Sequence, residues 1–398
     1  MQIVKGKYNE AKVFIDTTEP GLIEQIQKVL DNIVSKDQKI RIMPDCHVGS
    51  GICIGYTSTI SDKIVPYFVG SDVGCGVIVQ SLNETEVDLA KLDKIMHNIV
   101  PSGFNVNTTP HRFSSQIDIT QLRCYNHLKN THKLVLGIGS LGSGNHYCEL
   151  NKSEDGRLYL VIHTGSRNLG KQIADYYQQK AYATMTNRET KKQALVTQLK
   201  SEGRTHDIAT ELAKMEIVQV EKAMAYCEGQ LMEDYLHDMA IAQEYASLNR
   251  KAIADIIQCG MRWKVQSEFQ TIHNYIDMNT KILRKGAVRA EKGEILIIPM
   301  NMSWGSVIAV GKGNPDWNNS CAHGGGRKMS RKKAKESVSM DDYRKSMEGI
   351  YTTCVNKNTI DESPMAYKDP LEVMEYLKDT VNIVNHIKPI YNFKAGGE

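Results

Sequence analysis

The chain has 398 residues, 41% of them hydrophobic and 24% charged, with 49 Lys and Arg against 46 Asp and Glu. That balance fits a globular protein with a real core. A net charge of +3 is too small to argue for nucleic acid by itself, so any RNA or DNA surface must be built from clustered basic groups. No apolar run reaches membrane-span length, and the N-terminal stretch Met1–Gly6 lacks a signal peptide's apolar core, so the expected location is the cytoplasm. Nine cysteines without a CxxC pair predict reduced thiols, with Cys227 and Cys259 expected in the core.

In chain order, residues 40–80 are apolar and glycine-rich, with strand-like runs at Gly51–Tyr56 and Val77–Val79. Leu134–Leu136 and Leu158–His163 also read as strands. From Lys171 to Gly260 the pattern is helical, interrupted near Ser201–Thr205. Leu231, Tyr235, Met239, Ala242 and Ala246 recur at helical spacing. Strands are expected again at Ile295–Pro299 and Ser306–Val310, then a helix from Leu371 to about Val384. Strands, helices, then strands predict an α+β fold: one interleaved domain over residues 1–398 with a β-sheet core and a long mid-chain helical segment, not a repeated βαβ series.

Two nucleotide-binding fingerprints are imitated and rejected. Gly137, Gly139 and Gly142 have dinucleotide-loop spacing, but Ser143-Gly144-Asn145-His146-Tyr147 is a poor helix start. Gly165 to Lys171 imitates a P-loop, yet Gln172 stands where a magnesium-binding hydroxyl is needed.

Residues of metal-ligand chemistry are more persuasive as a set. Asp72 and Cys75 lie three apart on a glycine turn, His146 follows a glycine loop, His163 ends a strand, and His273 follows an amphipathic stretch. One Asp, one Cys and three His can hold two metal ions if the thiolate bridges, and paired metals suit phosphoryl transfer. Ligand softness alone favours zinc there. His97, His111, His127, His132, His206, His237 and His386 have no such setting and read as surface or structural. Asp45-Cys46-His47 reads as a strained, functional turn. His323 precedes Gly324, Gly325 and Gly326, and Arg327, Lys328, Arg331, Lys332, Lys333 and Lys335 follow. Glycines let backbone N–H groups approach an anion, guanidinium groups grip phosphate, and the imidazole can act on phosphorus.

These segments together resemble the RtcB RNA ligases: Met43-Pro44-Asp45-Cys46-His47-Val48-Gly49-Ser50-Gly51, Asp72 to Gly76, Gly139 to Glu149, His163 to Arg167, His273-Asn274-Tyr275, and His323 to Arg331, in family order. The resemblance implies an enzyme that uses manganese and GTP to join RNA 2′,3′-cyclic phosphate or 3′-phosphate ends to 5′-hydroxyl ends, in RNA repair or tRNA splicing. It implies His323 as the guanylylated nucleophile and an RNA-ppG intermediate. Asp72, Cys75 and His146 would hold one manganese, and Cys75, His163 and His273 the second. Asn145, Glu149, Ser306, Tyr367 and Lys394 match GMP contacts, with Gly324, Gly325 and Gly326 beside them. Arg167, Asn274, Arg327 and Arg331 match groups that handle phosphates or RNA ends. An accessory activating protein is a further partner the resemblance admits.

The chain departs from the family pattern in places. Gly325 replaces the usual alanine, and Pro299 to Ser306 replaces the usual Pro-Gly-Ser-Met-Gly run, so Asn301 stands where a serine is expected. The shorter chain resembles a compact repair branch. An alternative reading of the same residues is a metal-dependent RNA-end phosphodiesterase without nucleotidyl transfer. A non-catalytic RNA-binding protein would need only the basic cluster.

Overall fold

Side chains alternate between the two faces of a strand, and in the strands Gly76–Leu82, Tyr147–Ser153 and Leu158–Thr164 both faces are buried. Ile78, Cys148, Leu150, Leu160 and Ile162 face one cluster, with Ile253 and Ile257 of a long helix. Val77, Val79, Tyr147 and Val161 face another. His163, in phase with Val161, therefore sits on the second face, as does Glu149 with Tyr147. The computed structural model that shows this describes residues 1–16, 18–214 and 220–395.

These strands belong to a seven-stranded sheet in the order Val265–Ile272, Gly76–Leu82, Leu158–Thr164, Tyr147–Ser153, Val381–Phe393, Gly305–Gly311 and Ile295–Asn301, with every neighbouring pair antiparallel. A six-stranded sheet runs Gln2–Lys5, Glu10–Val13, Ile40–His47, Ile54–Thr59, Ile282–Lys285 and Asn274–Asp277, with one parallel pair, Glu10–Val13 beside Ile40–His47. Neither sheet is a βαβ series, as the α+β reading expects, and each draws strands from distant parts of the chain. The helix Gly229–Met261 buries the predicted Tyr235, Met239, Ala242 and Ala246.

The mid-chain helical stretch is broken where expected: helices cover Arg167–Thr186, Arg188–Ser201 and Ile208–Lys214 before the long helix. Residues 215–219 of that stretch lie outside the described residues. Three local expectations fail. Leu134–Leu136 is not a strand but the end of a short helix, Thr131–Leu136, whose Leu134 carbonyl accepts from the Tyr245 hydroxyl at 2.6 Å; three apolar residues are too few to carry a period. The final helix is Pro370–Leu377 only, started by the Asp369 carboxylate and Pro370. After Lys378–Thr380 the β-branched run from Val381 becomes a 13-residue strand. Cys259 is exposed and Cys227 lies in a two-residue strand, buried as expected. No helix among the described residues is long and apolar enough to cross a membrane.

Candidate metal and nucleotide site

The turn from Asp72 to Cys75 closes with a Cys75 N–H to Asp72 carbonyl bond of 3.1 Å. Gly74 takes φ +72° there, and a Cβ on it would stand 2.9 Å from the Gln243 Cα of the long helix. Only glycine fits that backbone against that helix. The Cys75 carbonyl accepts from the His273 N–H (3.0 Å), and the Gly74 N–H donates to Asn274 O (2.7 Å), so two of the predicted ligand segments are stitched together by backbone alone.

The histidine rings are oriented from behind. His146 Nδ1–H donates to Leu141 O (2.9 Å) and His163 Nδ1–H to Asn145 O (3.1 Å). A carbonyl can only accept, so each Nε2 carries the lone pair forward. Those Nε2 atoms lie 3.5 and 3.3 Å from Cys75 Sγ, His146 Nε2 lies 2.9 Å from Asp72 Oδ2, and His163 Nε2 lies 3.3 Å from His273 Nε2. Two sets of donor atoms result, Asp72/Cys75/His146 and Cys75/His163/His273, each within 4.8 Å of one another and sharing the thiol. Burial pulls His163 and His273 well below the ordinary imidazole range, aided by neighbouring rings. Burial and the Asp72 carboxylate push the Cys75 thiol well above its own. Burial opposes ionisation of Asp72, but a proton on His146 Nε2, which a bound cation would displace, holds its carboxyl down to about 2. Neutral imidazoles, a carboxylate and a shared thiol aimed at common points are what a pair of cations needs.

His323 follows the short strand Ser320–Ala322, with its ring centroid 4.9 Å from that of His273. Its Nδ1 meets Asp45 Oδ2 at 2.6 Å. The same oxygen accepts the backbone N–H of His323 (3.0 Å) and Gly324 (3.2 Å). Asp45 is fully buried. It therefore fixes the ring with Nε2 away from itself. The Asp45 segment is not the strained turn expected from sequence. It is the end of strand Ile40–His47, bulged between Ile42 and His47. A Cβ at Gly325 would lie 2.5 Å from Met300 O, so the departures at Gly325 and in the Pro299–Ser306 run fit one another.

A cavity of about 290 Å³ opens beside these groups. His163, His273 and His323 line it at one end, and Gly324, Gly325 and Gly326 form part of its wall. Asn145, Glu149, Ser306, Tyr367 and Lys394 also line it, as do Asn274, Arg327 and Arg331. Asp72, Cys75, His146 and Arg167 do not; the first three lie behind His163. Burial lifts the Glu149 carboxyl to about 7, against the amides of Asn151 and Asn392, which donate to it at 3.3 and 2.9 Å, and the charge of Lys394. The buried Ser306 hydroxyl has no partner among the described residues, nor has that of Tyr147, which also lines the cavity. Asn301 spends its carboxamide oxygen on the N–H groups of Ser303 (3.1 Å) and Trp304 (2.9 Å), a local turn instead of a serine-like hydroxyl.

The phosphate candidates are internally bonded. Arg167 donates to Gly103 O (2.6 Å) and Ser140 Oγ (3.1 Å), bracing the glycine loop. Asn274 donates to Asp72 O and accepts from Gly286 N–H. Arg327 reaches Asp361 O and Glu362, and Arg331 reaches Asp361 and Glu362. Lys171 of the P-loop imitation pairs with Asp175 on an exposed helix face, away from the cavity.

A profile of the family described as tRNA-splicing ligase RtcB matches residues 28–137 and 125–395. The chain belongs to the RtcB family. It is 29% identical to RNA-splicing ligase RtcB of Escherichia coli K12, over 89% of this chain and 90% of that protein. It is 26% identical to tRNA-splicing ligase RtcB of Methanococcus maripaludis, over 95% and 92%.

Several residues of this RtcB-family site carried no assigned role in the sequence. Asp45 is 278 positions from the histidine it holds. Asn249, fully buried on the long helix, accepts from the N–H groups of Gly139 (2.8 Å) and Ser140 (3.1 Å) and donates to Ser140 O and Gly165 O, pinning the loop that ends at His146. Arg250 beside it donates to Gly74 O (2.7 Å) and Thr164 O (2.9 Å). Their signal was a pair of polar residues in phase with a buried helical stripe. Glu362 gave none, although burial is outweighed there by Lys394 and Arg331, which hold its carboxyl down to about 2.

Proposed function

We propose that this chain acts as its family does, as an RNA ligase, and does so through His323, with residues 1–398 forming one cytoplasmic enzyme domain. The observation that carries this reading is the His323 ring, held by buried Asp45 and beside the His273 ring, at the wall of a cavity that also contains Glu149, Ser306 and Lys394. Asp72, Cys75 and His146 would hold one divalent ion, and Cys75, His163 and His273 a second. Manganese is the family's metal, although thiol and imidazole softness alone favours zinc. Bound there, the ions supply positive charge that offsets the repulsion of a polyphosphate.

The residues of the chain do the rest. Asp45 keeps the proton on His323 Nδ1, so Nε2 offers its lone pair to the α-phosphorus of GTP. The N–P bond forms as the bond to pyrophosphate breaks, and pyrophosphate leaves with the electron pair. Positive charge spreading onto the imidazole is met by the Asp45 carboxylate. Glu149 accepts N–H groups from the guanine edge, with Ser306, Tyr367 and Lys394 around the base. An oxygen of an RNA 3′-phosphate then takes the guanylyl group from His323, giving RNA-ppG, and the 5′-hydroxyl displaces GMP. A cyclic phosphate must first be opened by water. Incubation with manganese and GTP labelled at the α-phosphate should leave acid-labile, alkali-stable label on the protein. His323→Asn should abolish it with both metals retained, and pre-guanylylated RNA should restore sealing. Label on the His323→Asn protein would refute the assignment. RNA-end cleavage with no adduct in the wild type would favour the phosphodiesterase reading.

A further inference from the structure

Glu362 ends the short helical turn Ile360–Glu362 and is 2% exposed, yet it borders the cavity. Its two oxygens serve different sets of donors. Oε1 accepts from Arg327 Nη1 (3.3 Å) and forms an ion pair with Arg331 Nη1 (2.6 Å), both from the segment that follows His323. Oε2 accepts from the Tyr367 hydroxyl (2.6 Å) and Lys394 Nζ (2.6 Å), which stand with Glu149 and Ser306 along the cavity. Arg327 also lies over the Tyr367 ring, 5.3 Å from its centroid, so the two sets touch one another as well. Asp361 adds a second carboxylate on Arg331 at 2.7 Å. Three cations against two carboxylates leave this group one positive charge in excess, suited to a further anion.

We infer that Glu362 is a positioning residue that ties the nucleotide contacts Tyr367 and Lys394 to the phosphate contacts Arg327 and Arg331, so that one buried carboxylate sets the geometry for both substrates. This rests on the ligase reading above. The argument is one of acceptor count. A carboxylate has two acceptor ends, and here they serve three hydrogen-bond donors and the charge of a fourth partner, Arg331. A carboxamide of the same shape has one acceptor end, and its NH₂ would face donors on the other side. Glu362→Gln must therefore release one pair outright, and it removes the charge that strengthens the bonds of the other.

The test is a pair of double-mutant cycles on the full chain. Adduct formation reads the KM for GTP in wild type, Glu362→Gln, Lys394→Met and the double variant. Sealing of pre-guanylylated RNA reads the KM for the RNA end in the corresponding set with Arg331→Met. Glu362→Gln should raise both KM values about tenfold with kcat within threefold, and in both cycles the second substitution should cost less once Glu362 is gone. A purely structural role would lower kcat with the folded fraction and leave KM unchanged, which would overturn the inference, as would additivity in either cycle. If Glu362→Gln does not fold, Glu362→Asp keeps the charge, shortens the reach by one methylene and enters the same cycles. A wild type that forms no adduct refutes the ligase reading and this inference with it; adduct formation with additive cycles refutes the inference alone.

Discussion

Asp45→Asn isolates what the buried carboxylate does for His323. One oxygen, Oδ2, accepts three N–H groups: the ring Nδ1 at 2.6 Å and the backbone N–H of His323 and Gly324 at 3.0 and 3.2 Å. In the variant the amide must choose which end faces them. Two backbone donors cannot accept from an NH₂, so they favour the oxygen, and the ring keeps its tautomer. What is lost is the negative charge that meets the imidazole as Nε2 bonds to phosphorus. Hydrogen bonds to charged groups contribute roughly 1.5–3 kcal/mol against about 1 for neutral ones. The difference, about 0.5–2 kcal/mol, corresponds to a roughly 2–30-fold slower step. Were the amide to flip, the ring proton would move to Nε2 and the loss would approach the ~10⁴-fold of a wrong-tautomer triad. Single-turnover adduct formation with α-labelled GTP at saturating manganese measures it, with metal content determined on the same sample. A rate equal to wild type, at full metal occupancy, would refute the role given to Asp45.

Cys75→Ala should lose both metal ions, because the thiol belongs to both donor sets; elemental analysis that finds one or two ions per chain after gel filtration would exclude the bridge. Arg250→Met should destabilise the fold by about 2–6 kcal/mol, since it leaves the Gly74 and Thr164 carbonyls unpaired around a fully buried site at about 1–3 kcal/mol each; urea denaturation reads the midpoint, and a change under 1 kcal/mol would contradict the bracing role. Burial lifts Glu149 to about 7, above its unfolded value of about 4.3, so the folded chain keeps a proton the unfolded chain has released, and stability falls as pH rises through that window. GTP affinity of the His323→Asn protein should run the opposite way, rising with pH through about 7 as the acceptor ionises, and Glu149→Gln should flatten that rise in calorimetric titrations.

Much of the site was legible because its chemistry is local. Thiol, imidazole and carboxylate beside glycines at strand ends mark positions where backbone is bent to aim a side chain, and all five of those metal-type residues converge. Asp45 was visible only as part of a turn read as strained and functional; its partner lies past a distant strand, and sequence carries no distance. Asn249 and Arg250 were hidden by their own helix, whose apolar period explains the stripe without asking why two polar residues sit in it. The strand Val381–Phe393 was lost to a short-range effect: the helix Pro370–Leu377 is well capped, and its pattern runs on smoothly into β-branched residues whose partners, Gly305–Gly311 and Tyr147–Ser153, are remote. The fold class survived these errors because it depends on where strands and helices cluster.

The strand Val381–Phe393 also governs the order in which the molecule can be assembled. It separates the four-stranded part of the large sheet from the hairpin Ile295–Gly311, and it pairs with both. Until it inserts, each part presents an open edge of unpaired backbone, and the cavity lacks Lys394. Its contacts to Tyr147–Ser153 close a loop of more than two hundred residues, so this pairing carries a large loop-closure entropy. The cavity is thus completed only when the sheet is closed, so a chain without this pairing would hold the turn from Asp72 to Cys75 and open strand edges, but an unfinished cavity.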